Sequence, residues 1–157
     1  MSKVAYRAAS EADFDAIAYV WLESGRLADG APSEGPTLHQ NRTRIDAEIA
    51  SGWNVRVAVH EGRIVGFLAF KPCDFLLDQL FVLPAFQGQG IGKALLEYAM
   101  AAMPEGFTLR TAAANIRARR FYDKADLVVI SEGIHPKYGN AVCIYDWHER
   151  KGAGSVD

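Results

Sequence analysis

The sequence holds only two cysteines, Cys73 and Cys143. They are far apart and form neither a CxxC pair nor a zinc-like spacing, so a disulfide framework and a structural zinc site are excluded. Two reduced core thiols are expected instead. The four histidines, His39, His60, His135 and His148, are equally scattered and show no metal-ligand spacing. No excess of positive charge is present either: 17 basic against 19 acidic residues give a net charge of −2. That removes the basic footprint of a nucleic-acid binder and the polybasic anchor of a membrane-surface protein. The longest apolar run, Ile64 to Phe70, is too short to span a bilayer. Met1-Ser2-Lys3-Val4 lacks the apolar core of a signal peptide, and the cytoplasm is the expected location.

Repeats, low-complexity tracts and a clear linker are missing too. A chain of 157 residues fits one domain and can bury roughly two-thirds of its unfolded surface. Residues 1–150 are read as that domain, and the small, polar stretch 151–157 as a fraying tail.

Strand-like and helix-like signals alternate, which argues for an α/β or α+β domain. A short strand fits Val4 to Arg7. Ser10 reads as a helix cap with Asp13 three residues on, and Phe14, Ile17 and Trp21 follow at helical spacing. Gly30 to Pro36 is a loop. Thr37 and Gln40 have capping-box spacing, and Gly52 fits just past the end of a second helix. Val55, Val57 and Val59 alternate with polar or small residues, Glu61-Gly62 makes a tight turn, and Arg63 to Phe70 reads as the partner strand. Leu76 to Leu83 is a further strand. A helix with Ile91, Ala94, Leu95, Tyr98 and Ala102 on one face follows. Phe107 to Thr111, Leu127 to Ile130 and Ala141 to Trp147 complete the strands, with a helix over Asn115 to Ala125.

The most informative segment runs from Val82 to Lys93 and joins a strand to a helix. Helix starts expose unpaired N–H groups, and glycines let a phosphate approach the backbone closely. Two known phosphate loops fail on spacing. A Walker loop needs Gly where Gln87 stands and Ser or Thr where Ala94 stands; a dinucleotide fingerprint from Gly88 and Gly90 needs Gly or Ala where Lys93 stands. What remains is Q-x-x-G-x-G from Gln87, Gly90 and Gly92. On its own it is also compatible with an ordinary tight turn.

With Val82 and Pro84 ahead of it, this loop resembles the pyrophosphate loop of the GNAT superfamily of N-acetyltransferases. A second motif of that family lies downstream, as Asn115, Ala118, Phe121, Tyr122, Lys124 and then Ala125-Asp126-Leu127. The resemblance covers Trp53 to Ile130 well and the N-terminal third only in its helix pattern. It departs at Asp126, where the family usually has Gly. Asp tolerates the left-handed conformation at modest cost, so a strained cap is expected.

The resemblance implies a mixed, mostly antiparallel sheet of six to seven strands with about four helices and splayed central strands. It implies that Leu80, Phe81 and Val82 offer backbone groups to the pantetheine arm of acetyl-CoA. Gln87, Gly88, Gln89, Gly90, Ile91, Gly92 and Lys93 would form the pyrophosphate loop. Gly92→Val is then expected to block ligand approach and spare the fold. The N–H near Val82 would face the thioester carbonyl as an oxyanion donor. Asn115 is an N-cap by position and a cofactor contact by resemblance. Tyr122 is a half-buried core residue by position and, by resemblance, a cofactor contact and the acid that protonates the departing thiolate.

An attacking alkyl amine is neutral only to the order of one part in a thousand at pH 7, so a proton route is needed. One branch of the family has a Glu where this chain has Arg110. Asp78 is a candidate base or a surface carboxylate on an exposed strand. Glu23 and Asp29 border one acceptor wall, and His135 and Tyr138 the opposite one. Arg117, Arg119, Arg120 and Lys124 are a solvated helix face or a contact for the cofactor's 3′-phosphate. The expected activity is acetyl transfer from acetyl-CoA to a primary amine of a small molecule, by direct attack in a ternary complex, without a metal. A non-catalytic acyl-CoA sensor and a protein-amine acetyltransferase are the alternatives. No nucleic-acid or membrane partner is expected, and a homodimer is left open.

Overall fold

A computed structural model describes residues 3–26 and 35–148. The loop expected from Gly30 to Pro36 therefore lies mostly outside the described residues, as do Asp29 and the tail 151–157. The chain order is β1 (Val4–Ala8), α1 (Phe14–Arg26), α2 (Leu38–Ala50), β2 (Asn54–His60), β3 (Arg63–Lys71) and β4 (Leu76–Val82). Then follow α3 (Ile91–Ala102), β5 (Phe107–Ala112), α4 (Ile116–Lys124), β6 (Val128–Ile134) and β7 (Ala141–Trp147).

Local chemistry explains most boundaries. The Ser10 N–H donates to Asp13 Oδ2 at 2.8 Å, which closes a capping box ahead of α1. Thr37 and Gln40 do the same for α2, with the Gln40 N–H donating to Thr37 Oγ1 at 3.1 Å. Glu61 and Gly62 both take positive φ, 50° and 77°, which suits the two-residue turn between β2 and β3. Asp126 has φ 68°, the expected left-handed cap of α4.

The strands form a seven-stranded sheet in the order β1-β2-β3-β4-β5-β7-β6. All neighbours are antiparallel except β4 and β5. The mixed, mostly antiparallel sheet with four helices is thus the fold anticipated. Gly66 and Phe67 are adjacent on β3 and so face opposite sides of the sheet. Phe67 packs against Trp21 of α1, whereas a Cβ on Gly66 would meet Ile91 of α3. The helices therefore cover both faces: α1 and α2 on one side, α3 and α4 on the other.

The core lies between these layers and includes Ile17, Ile45, Phe67, Leu68, Leu95, Phe107 and Tyr145. Two expectations fail here. Cys143 is buried, but Cys73 is exposed in the turn before β4 and is no core thiol. The buried face of α3 is Ile91, Leu95, Leu96 and Ala99, whereas Tyr98 is 39% exposed. That helix carries apolar residues around more than one face, so periodicity alone misplaced the contact. Tyr98 instead packs at the rim, edge-on to Phe70 and beneath the Arg56 guanidinium.

Candidate active site

The sheet opens between β4 and β5. One parallel bridge, Leu76 to Thr108, joins them, and the Thr108 N–H donates to Phe75 O at 2.9 Å. Beyond it the ladder stops. On the other edge of β4, Ala69 pairs with Gln79 and Phe70 with Leu77, which leaves Asp78 as the extra residue of a bulge. A bulge bends its own strand, so the site of divergence is built into β4.

The open edge can be read from the hydrogen-bond alternation. The Leu83 N–H donates to Val65 O at 2.8 Å, which makes that a bonded pair. Phe67–Phe81 and Ala69–Gln79 are then bonded pairs as well, and Leu80 and Val82 turn their N–H and C=O groups away from β3. The Val82 carbonyl confirms the direction. It accepts from Ser24 Oγ at 3.2 Å and from Gln87 Nε2 at 3.0 Å. Leu80 and Val82 thus present backbone groups to the gap, while those of Phe81 are directed at β3. Gln87 braces the loop against the end of β4.

The loop after β4 carries Gly88 and Gly90 at φ 81° and 85°, a left-handed region that favours glycine. A Cβ on either would meet nothing within 4 Å, so the space above the backbone is open. The Ala94 N–H donates to Gly90 O at 3.0 Å as the first helical bond of α3. The N–H groups of Ile91, Gly92 and Lys93 precede it and find no acceptor in the helix. Lys93 is exposed, whereas Ile91 is 2% exposed and can offer the loop only its backbone. Gly92 faces α4: a Cβ there would lie at ordinary contact distance, 3.5 Å, from the Phe121 ring.

Asn115 caps α4, its Oδ1 accepting from the Ala118 N–H at 3.1 Å. Tyr122 is 7% exposed and packs against Phe121 and Tyr145, with ring centroids 5.3 and 5.5 Å away. Burial, and then the neighbouring Tyr145, push its phenol well above the usual tyrosine range, so it holds its proton. The basic run on α4 is partly engaged. Arg119 donates to Tyr145 Oη at 3.3 Å and to Ala113 O at 3.1 Å.

The opposite face of the gap is bordered by α1, α2 and the β6–β7 loop. Glu23 lies near the end of α1 and pairs with Arg26 at 3.0 Å. Asp78 Oδ2 accepts from Trp53 Nε1 at 2.8 Å and lies 3.7 Å from Arg44 Nη2. Arg44 also pairs with Glu48 at 3.1 Å and lies over the Trp21 ring. His135 and Tyr138 pack with tilted rings, centroids 4.9 Å apart, and His135 Nε2 is 3.4 Å from Arg110 Nη2. Burial first, then the charges of Arg110, Arg44 and Lys137, lower the His135 pKa, so its ring is neutral near pH 7.

Sequence reasoning missed Ser24, Trp53 and Arg44. The i,i+4 spacing of Arg44 and Glu48 was visible, but nothing local tied either to Asp78. Among the described residues, no group of three or more His, Cys, Asp or Glu could hold a metal ion, and no helix is long and apolar enough to cross a membrane.

Known proteins resemble this chain in sequence and in fold. The model of the acetyltransferase (GNAT) family matches residues 14–126. An uncharacterised N-acetyltransferase of Archaeoglobus fulgidus is 34% identical over 135 residues, which span 77% of this chain and 90% of that one. A GNAT-family structure from Desulfovibrio desulfuricans superposes with a TM-score of 0.75 at 20% identity, covering 93% of this chain and 99% of the other. The structure of yncA from Salmonella typhimurium, which holds acetyl-CoA, gives a TM-score of 0.69 at 17% identity, with 98% of each chain covered. Family match and relative agree: the chain belongs to the acetyltransferase (GNAT) family and is an N-acetyltransferase.

Proposed function

We propose that this enzyme transfers an acetyl group from acetyl-CoA to the primary amine of a small molecule, directly and within a ternary complex. The observation that carries the reading is the gap between β4 and β5. The edge of Leu80 and Val82 that β3 leaves unpaired leads from the open glycine loop into the sheet.

The residues present fit acetyl-CoA. Gly88 and Gly90 leave a cradle that a Cβ would enter, and the N–H groups of Ile91, Gly92 and Lys93 await an anion at a helix start. The N–H groups of Leu80 and Val82 suit an extended, amide-containing arm. The Asn115 carbonyl oxygen is used in capping, which leaves its NH₂ as a donor.

Acetyl-CoA, when bound, supplies an activated acetyl thioester. The chain's own groups would then hold and orient. Val82 lies next to the loop, and Leu80 lies one bonded pair deeper. An N–H at either position meets negative charge growing on a carbonyl oxygen, and the deeper one is better placed for the end of the arm. Tyr122 keeps a proton at neutral pH and can deliver it to a departing sulfur. Asp78 is held by Trp53 and Arg44, so it is better suited to attracting and orienting an ammonium than to acting as an unencumbered base.

The test is CoA-thiol release across a panel of primary amines, with both substrates varied. Intersecting initial-velocity lines are expected. Parallel lines would show a covalent acetyl-enzyme and overturn direct transfer. CoA binding without release by any amine would favour a non-catalytic sensor.

A further inference from the structure

Asp78 and Arg110 each lie two residues beyond the last bridge between β4 and β5, where the gap begins. Leu76 pairs with Thr108 in parallel register. Two residues further on, where the strands have ceased to bond, β4 presents Asp78 and β5 presents Arg110. The two banks carry opposite charge. That of Asp78 is met by Arg44 at 3.7 Å and by the Trp53 indole N–H at 2.8 Å. Arg110 differs. It is exposed, and no carboxylate among the described residues lies within ion-pair distance of it. Its guanidinium lies 3.4 Å from the His135 ring.

That contact brings two donors together. His135 Nδ1 accepts from the N–H groups of Lys137 at 3.0 Å and Tyr138 at 3.2 Å, so Nδ1 carries no proton. A neutral imidazole then carries its proton on Nε2, the atom 3.4 Å from Arg110 Nη2. A guanidinium N–H and an imidazole N–H cannot bond to each other, so both call for an acceptor at the same place. The two backbone bonds and the adjoining, tilted Tyr138 ring fix the imidazole in that orientation. A protonated Nε2 also excludes His135 as the base for the amine.

We propose that Arg110 and His135 form an anion subsite in the acceptor pocket, so that the acceptor is an amine that also carries a carboxylate or phosphate group. The inference rests on the transferase reading given above. Either anion accepts from a guanidinium and an imidazole N–H at once. The amino group is drawn to Asp78 on the facing bank, which implies a short linker between the two functions.

The test compares β-alanine and 2-aminoethyl phosphate with propylamine and ethanolamine. Each amine is assayed by kcat/KM for CoA-thiol release and by calorimetric titration into the CoA-loaded protein. One anionic class should bind and react about ten- to a hundredfold better than its neutral counterpart, the range for a charge-assisted hydrogen bond. The arm that wins separates carboxylate from phosphate. Arg110→Gln should erase the preference with CoA affinity unchanged, and Arg110→Lys should retain part of it. Circular dichroism establishes that each variant is folded. Equal kcat/KM for anionic and neutral amines would overturn the subsite, and so would a preference that survives in folded Arg110→Gln. In both cases the measured CoA-thiol release leaves the transferase reading standing. Failure of the wild type to bind CoA would bring down that reading and the subsite with it.

Discussion

Gly90 and Gly92 stand two residues apart and act differently. Gly90 caps α3 at φ 85° with open space where a side chain would stand. A valine there adopts a strained backbone, at a cost of roughly 1–2 kcal/mol, and also enters the cradle. Gly90→Val should therefore raise the Kd for CoA at least about tenfold by calorimetry, each factor of ten being about 1.4 kcal/mol. Gly92→Ala places a methyl at ordinary contact distance from Phe121, 3.5 Å, and should leave CoA affinity near wild type. Equal losses in both variants would show that the loop acts only through its packing. Tyr122 allows a sharper test. A thiol of pKa near 8.5 leaves fairly well unaided, so Tyr122→Phe should lower kcat by roughly ten- to a hundredfold, about 1.4 to 2.7 kcal/mol of barrier. KM for acetyl-CoA should barely move, since the ring remains. Burial keeps the wild-type phenol protonated, so no loss of kcat from Tyr122 ionisation should appear through the neutral range of a pH profile. An unchanged kcat would leave Tyr122 as packing alone.

The elements show what a sequence can and cannot disclose. Caps and turns are local, and Ser10, Thr37, Glu61-Gly62 and Asp126 all stand where side-chain and backbone chemistry placed them. The glycine loop was legible for the same reason, because its signal lies within one dozen residues. The bulge in β4 was not. Leu76 to Val82 reads as a plain strand, and only the pairing with β3 reveals Asp78 as the extra residue. Nor could spacing show that Asp78 is bound by Trp53, 25 residues away, or that Val82 O is capped by Ser24, 58 residues away. These contacts bear on the role of Asp78. Asp78→Asn keeps an oxygen for the Trp53 N–H and loses the charge opposite Arg44. Steady-state kinetics should show kcat/KM falling about ten- to a hundredfold, below the upper range for a single acid–base group. A loss beyond about ten-thousandfold would identify Asp78 as the base.

At the scale of the whole molecule, the sheet ends in two edge strands of different character. All seven residues of β6 are exposed. β1, at the other edge, is tied to the helical layer by one bidentate pair: Arg7 Nη1 and Nη2 donate to Asp13 Oδ2 and Oδ1 at 2.7 and 3.0 Å. The Arg7 bonds, aided by the Ser10 N–H, outweigh burial and hold the Asp13 carboxyl at about 2, below its ordinary 3.8. A depressed carboxylate pKa stabilises the fold above the unfolded value, and that stability is lost as pH falls through the folded one. The window is therefore about pH 4 down to about pH 2. The Arg7 side chain is 49% exposed, so screening reduces the contribution to roughly 1–2 kcal/mol. Asp13→Asn keeps an oxygen for the Ser10 cap and discards the charge. Urea unfolding should place the variant below wild type by about that amount at pH 7. The two midpoints should converge as both proteins are taken below pH 2, where the wild-type carboxyl is itself neutral. A gap that stays constant across the acid range would mean that Asp13 acts through shape and capping alone, and that its charge does not couple β1 to α1.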